Sequence, residues 1–294
     1  MAKAGIAAQP KQSGRMVFSL ASGDSAMMPM AVAYLVGLPM NAVTTMLLSF
    51  ITVWGCSIGQ WLFLDRALTT VIEPGPKAYA PRAWLTTSTP ISLVEGFYVL
   101  LTYSDVIILT QFRPPQEVAI YYAAAKTMAL VAFIYFAVAQ TVAHKFSEYH
   151  VAGNRKRLAD FLAQTIRMTF WPSLAFIVVI LALGEPLLWM FGKDFVGGYH
   201  LMFIIAIGLL ARASVGPAER LLNMLGERRA CAYAYAGAFL LNVALCFVLI
   251  PRFGAIGAAS SSATALVFES ACLFLVAKFR LGFHCLIFGR PKDR

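Results

Sequence analysis

Glu95, Asp105, Lys126, Arg212 and Glu269 stand inside long apolar stretches of this chain, and Gln140 adds a neutral polar group to one of them. An ionised side chain at the centre of a membrane-embedded helix costs about 2.5–3.5 kcal/mol on insertion scales, so each such residue needs a partner, a wet cavity or a function. Asp105 lies near the end of one stretch, and Lys126 about a third of the way into the next. If the two stretches are antiparallel helices, the side chains fall at similar depth, and an ion pair or a shared polar cavity is expected. Arg212 carries a planar fork of donors suited to oxyanions. Glu269 is a candidate partner for it. Arg167 lies only a turn or two into its stretch and reads as an anchor whose long stem carries the charge to the surface. Gln140, Asn223 and Asn242 read first as amides that bond across helices, and second as groups lining a polar path.

Other chemistry finds little support. Gly55-Cys56-Ser57-Ile58-Gly59 has the letters of a nucleophile elbow. That motif needs a strand-to-helix turn, and this copy lies in an apolar run where small residues serve helix packing. There is no H-E-x-x-H and no phosphate-binding loop. Five cysteines lack the C-x-x-C spacing, and the four histidines are scattered. No catalytic residue, metal or cofactor is expected, and the chain is not expected to be an enzyme.

The elements that must position these residues are membrane helices. The chain is 60% hydrophobic and 13% charged, with a mean hydropathy of +0.72, whereas soluble domains carry about 25% charged residues. Apolar runs at about 17–39, 42–64, 84–110, 117–143, 161–190, 199–218, 230–250 and 255–277 are each long enough to cross a bilayer. The fold class expected is all-α, a polytopic bundle of about eight spans. A Pro/Gly-rich linker over 67–83 separates a tail and two helices (1–66) from a six-helix lobe (84–280), which a basic tail (281–294) follows. Segment 144–160 reads as either a short amphipathic surface helix or a plain connector. Trp84, Trp171, Trp189, Tyr103, Tyr121 and Tyr122 sit where an interfacial aromatic belt is expected.

Charge sets the orientation. Lys3, Lys11, Arg15, Arg66, Lys77, Arg82, Lys145, Arg155, Lys156, Arg157, Arg220, Arg228, Arg229, Lys278, Arg280, Arg290, Lys292 and Arg294 fall on one side of an eight-span topology. Only Arg113, Lys193 and Arg252 fall on the other. The positive-inside rule then puts both termini in the cytosol. The net charge of +10 is spread over membrane-edge loops that meet anionic lipid. It forms no basic stripe with interleaved aromatics, so no nucleic-acid partner is expected.

From Tyr103 to Ala277 the chain resembles the polysaccharide transporter family, the oligosaccharide-lipid flippase branch of the multidrug/oligosaccharidyl-lipid/polysaccharide exporter superfamily. Four pieces in order carry the resemblance: YSDVIILTQFRPPQEVAIYYAAAK, HKFSEYHVAGNRKRLADF, EPLLWMFGKDFVGGYHLM and LLNMLGERRACAYAYAGAFLLNVALCFVLIPRFGAIGAASSSATA. It implies a bacterial inner-membrane flippase that moves a polyprenyl-diphosphate-linked oligosaccharide outward for surface polysaccharide or lipopolysaccharide synthesis. Lys126 would meet the diphosphate, with Asp105 setting its charge and position. Arg212, Glu95 and Gln140 would complete a substrate site. Full members of the family look like two lobes of six helices or more, so this chain resembles the end of a first lobe plus one complete second lobe. A chain supplying the missing helices is an expected partner, besides membrane lipid and the lipid-linked oligosaccharide. Two alternatives remain open within this frame: a multidrug/cation antiporter of the same superfamily, and a non-transporting scaffold of a polysaccharide assembly complex. A membrane glycosyltransferase or polymerase is disfavoured, because every outward loop is short.

Overall fold

A computed structural model describes residues 42–71, 79–283 and 285. The expected first span, 17–39, and most of the basic tail lie outside the described residues. The chain divides into two units, Met1–Tyr79 and Ala80–Arg294. In the first unit, α1 spans Ala42–Val71. None of its described side chains is buried, and Phe50, Trp54 and Trp61 are all exposed.

Every regular element among the described residues of the second unit is helical. Its order is α2 (Pro81–Phe112), α3 (Pro115–Ala129), α4 (Ala132–Val151), α5 (Arg155–Ala182), α6 (Gly184–Trp189), a 3-10 turn (Lys193–Gly198), α7 (Tyr199–Val215), α8 (Ala218–Met224), α9 (Arg228–Phe253), α10 (Ala255–Val276) and a π-turn (Ala277–Leu281). Among the described residues, seven helices are long and apolar enough to cross a membrane. They coincide with the second to eighth expected spans. The protein is therefore an all-α polytopic bundle.

Three local features depart from expectation. The span expected over 117–143 is broken at Leu130–Val131, where i→i+3 bonds from Leu130 to Thr127 and from Val131 to Met128 replace the α-helical pattern. Residues 128–133 contain neither Pro nor Gly, so packing sets the break. It turns Met128, Val131 and Tyr135 inward, and all three are buried. Segment 144–160 forms no separate surface helix. Instead α4 runs to Val151, Gly153 takes φ +67°, and the Asn154 side chain caps α5 by accepting from Arg157 N at 3.0 Å. The ends of the expected linker are helical too, since α1 reaches Val71 and α2 starts at Pro81, where a missing N–H costs nothing.

Burial follows membrane logic. Over its first half the buried face of α10 is Ala255, Gly257, Ala258, Ala259, Ser261, Ala263 and Ala265, while Ile256, Val267, Phe268 and Leu275 point outward. Lipid is as apolar as Leu, so small residues that let backbones approach drive the packing. A Cβ added at Gly257 would stand 2.5 Å from the Leu249 carbonyl oxygen on α9. Gly257→Val is therefore expected to cost at least about 3 kcal/mol, the upper end of ordinary overpacking, and to lower the yield of monodisperse protein on size-exclusion chromatography. Gly59→Val on α1, where an added Cβ meets nothing within 4 Å, should leave that yield unchanged.

The α9–α10 turn is pinned from α3. Gly254 takes φ +58°. Glu117 Oε1 accepts from Ala255 N at 2.7 Å, a carboxylate at the positive end of α10. Arg113 donates to the Pro251 carbonyl at 3.0 Å. Two apolar layers result. One holds Ile108, Leu109, Met128, Leu201, Met202, Ile250 and Ala258. The other holds Val94, Phe146, Leu158, Ile166, Leu222, Tyr235 and Leu273. Along α2, α7 and α10 the residues between these layers line a cavity.

Candidate functional site

The cavity has a volume of about 160 Å³. Cavities near 150 Å³ hold one benzene ring, so this one takes waters, an ion or a small organic group, and no oligosaccharide. Its walls come from α2, the α3–α4 break, α5, α7 and α10. α2 contributes Tyr98, Leu101, Thr102 and Asp105, the i, i+3, i+4, i+7 spacing of one helix face. Ala129, Val131 and Ala132 show that the break itself forms part of the wall.

One end of the cavity is built around Asp105, which is buried. Its carboxylate accepts from the Tyr121 hydroxyl, from Ser262 Oγ at 2.6 Å and from Val106 N at 2.7 Å. Among the described residues no Lys or Arg pairs with it. Hydroxyls both donate and accept, so Ser262 can serve the ionised or the protonated carboxyl by turning its hydrogen. Nearby, Asn242 donates to Ser104 Oγ at 3.0 Å, which ties α9 to α2.

The other end is built around Arg212. Its guanidinium carbon lies 4.8 Å from the ring centres of both Tyr98 and Tyr135, a cation between two π faces. Nη2 donates to the Tyr235 hydroxyl at 3.3 Å, and Nε stands 3.7 Å from Glu269 Oε1. Glu269 is fully buried, and neither of its carboxylate oxygens has a hydrogen-bond partner among the described residues. It leans on the charge of Arg212. Tyr235 passes its own hydrogen to Glu219 Oε2 at 3.0 Å. Arg220 spans Glu219 at 3.7 Å and Glu95 at 3.6 Å. The network joins α2, α4, α7, α8, α9 and α10.

The sequence-derived candidates therefore scatter. Asp105 and Arg212 share the cavity. The ion pair expected between Asp105 and Lys126 is not formed: Lys126 points elsewhere, its Nζ 4.7 Å from the Tyr103 ring centre and 5.1 Å from that of Tyr122. Equal depth did not guarantee facing sides, because Tyr121 occupies the position on α3 that reaches Asp105. Tyr121 is accordingly buried and belongs to no interfacial belt. Glu95 is an exposed partner of Arg220, and Gln140 is exposed on α4. The pairing of Arg212 with Glu269 is as expected. Sequence reading assigned Tyr121 to the interfacial belt and missed Tyr98, Tyr135, Glu219 and Ser262. The face of α2 bearing Tyr98 and Asp105 was the available signal for the first of them.

Residues 90–248, more than half of the chain, match the MatE family. No curated protein matches the chain.

Proposed function

The chain belongs to the MatE family of membrane transporters, and from that premise we propose that it is a component of a flippase for an anionic, lipid-linked oligosaccharide. The observation that carries this reading is Lys126. It lies eleven residues into α3, about 16 Å along the helix, within a stretch long and apolar enough to cross a membrane. It is half-buried, lies against two tyrosine rings and has no carboxylate within ion-pair reach among the described residues. A lone ammonium within a membrane span favours an anion brought by the substrate. Tyr103 and Tyr122, each 44% exposed, offer faces for sugar rings beside it. The small cavity does not compete for this role, and Asp105 within it is the proposed proton- or cation-coupling group. The proposed setting is the bacterial inner membrane, with both termini cytosolic and further helices supplied by a partner chain.

The test is complementation of a flippase-deficient strain. Lys126→Ala should abolish it without changing abundance, and Lys126→Arg should retain part of it. Full complementation by the Ala variant removes Lys126 from the substrate path. A second reading, a multidrug/cation antiporter, is favoured by charge balance in the cavity: Arg212 is offset by Glu269, which leaves Asp105 as the uncompensated charge. Under that reading the wild-type chain would confer efflux of an organic cation, and Lys126→Ala would leave that efflux intact.

A further inference from the structure

We propose that the basic end of the second unit holds one anionic glycerophospholipid, its phosphodiester headgroup in a cleft between α4, α5 and the π-turn, and an acyl chain in the groove that leads away from it. The cleft has a volume of about 330 Å³ and is lined by Tyr149, His150, Arg155, Leu158, Arg280 and Phe283, among others. Arg155 is the first residue of α5, a helix of 28 residues. The positive end of that helix dipole adds to the charge of its side chain. The guanidinium is already oriented. It donates to the Leu281 carbonyl and lies 5.2 Å from the Phe283 ring centre. A guanidinium has five N–H donors, so most remain available for phosphate oxygens.

Arg280 also lines the cleft, 67% exposed and paired with Glu227 at 3.6 Å. Exposed pairs contribute about 0–1 kcal/mol, so a phosphate can take over this arginine at little cost. Glu227 does not line the cleft. The lining is otherwise cationic or apolar, with His150 the remaining titratable group besides Tyr149.

The groove distinguishes a lipid from a soluble anion. A second cleft of about 420 Å³ runs between α4 and α5 and shares Tyr149 with the first. Val138, Val142, Phe161 and Met168 make its apolar walls, Thr141, Gln164 and Thr165 add polar groups between them, and Lys145 lines it with Nζ 5.7 Å from the Phe161 ring centre. Tyr149 to Val138 spans eleven residues of α4, about 16 Å. That is about the depth of one leaflet, half of a hydrocarbon core about 30 Å thick. Basic pockets between helix ends that face the anionic leaflet are where lipid headgroups bind, and this cleft lies on the side that carries most of the Lys and Arg residues. The proposal is independent of the transported substrate.

The purified protein in neutral detergent tests it, through thermal unfolding with added phosphatidylglycerol, phosphatidylcholine or inorganic phosphate. Phosphatidylglycerol should raise the midpoint saturably, and the other two should not. Arg280→Gln, at an exposed position, should weaken the apparent phosphatidylglycerol affinity by about fivefold, the worth of one basic side chain near an anionic surface. Arg155→Gln should weaken it further, and Met168→Glu in the groove should weaken it while leaving the headgroup cleft intact. Equal stabilisation by phosphatidylcholine, or an unchanged phosphatidylglycerol response in both Arg280→Gln and Met168→Glu, overturns the proposal. Stabilisation by inorganic phosphate alone does so too, because it would make the cleft a soluble-anion site.

Discussion

Replacing Arg212 by Met is expected to remove most of the folded protein from the membrane, and replacing Glu269 by Gln in the same chain is expected to bring much of it back. Glu269 is fully buried, its oxygens lack hydrogen bonds among the described residues, and Arg212 is its ion-pair partner. Breaking a buried pair by removing one member costs about 3–5 kcal/mol, because the other charge is left uncompensated, whereas removing both charges is often neutral. Folded proteins have only about 5–15 kcal/mol of total stability, so the single change should be visible as lost abundance and a lowered unfolding midpoint. The aromatic cage sharpens the expectation. Tyr98 and Tyr135 are arranged for a cation, and Met fills the volume without the charge. Arg212→Lys should fall between, since an ammonium keeps the charge and loses the planar stacking. Equal abundance of wild type and Arg212→Met would show that Glu269 is already neutral, or that it relaxes to another partner.

Asp105→Asn is expected to behave in the opposite way, keeping the fold and losing transport. The carboxyl accepts from Tyr121, Ser262 and Val106, and an amide keeps one acceptor and nearly the same shape. The hydroxyls of Tyr121 and Ser262 can turn to accept from the new NH2 group. What the amide cannot do is exchange a proton or hold a cation as a charged ligand. If Asp105 couples transport to an ion gradient, gradient-driven transport in reconstituted vesicles should fall at least about tenfold, about 1.4 kcal/mol of lost coupling. The unfolding midpoint should stay close to that of the wild type. Ser262→Ala should have a smaller effect on transport, since it removes one donor and leaves the carboxyl. Undiminished gradient-driven transport by Asp105→Asn would move the coupling group elsewhere, with Glu269 the next buried carboxylate to test.

Residue composition and spacing determined much of this protein by themselves. Twenty-residue apolar runs in a chain with 13% charged residues admit helices, because backbone groups in hydrocarbon must be satisfied within the segment. The second to eighth spans were legible for that reason. So was the pairing of Arg212 with Glu269, since two isolated opposite charges at similar depth have few other places to go. The tertiary structure alone decided which sides of the helices face each other. Asp105 and Lys126 were expected at similar depth, yet rotation of α3 about its axis gives Asp105 the hydroxyl of Tyr121 and turns Lys126 onto Tyr103 and Tyr122. Helices that are apolar all round carry little periodic signal of which face turns inward, so that rotation has no local code. The break at Leu130–Val131 was hidden for the same reason. No Pro or Gly marks it, and only the burial of Met128, Val131 and Tyr135 against neighbouring helices holds it in place and opens the wall of the cavity.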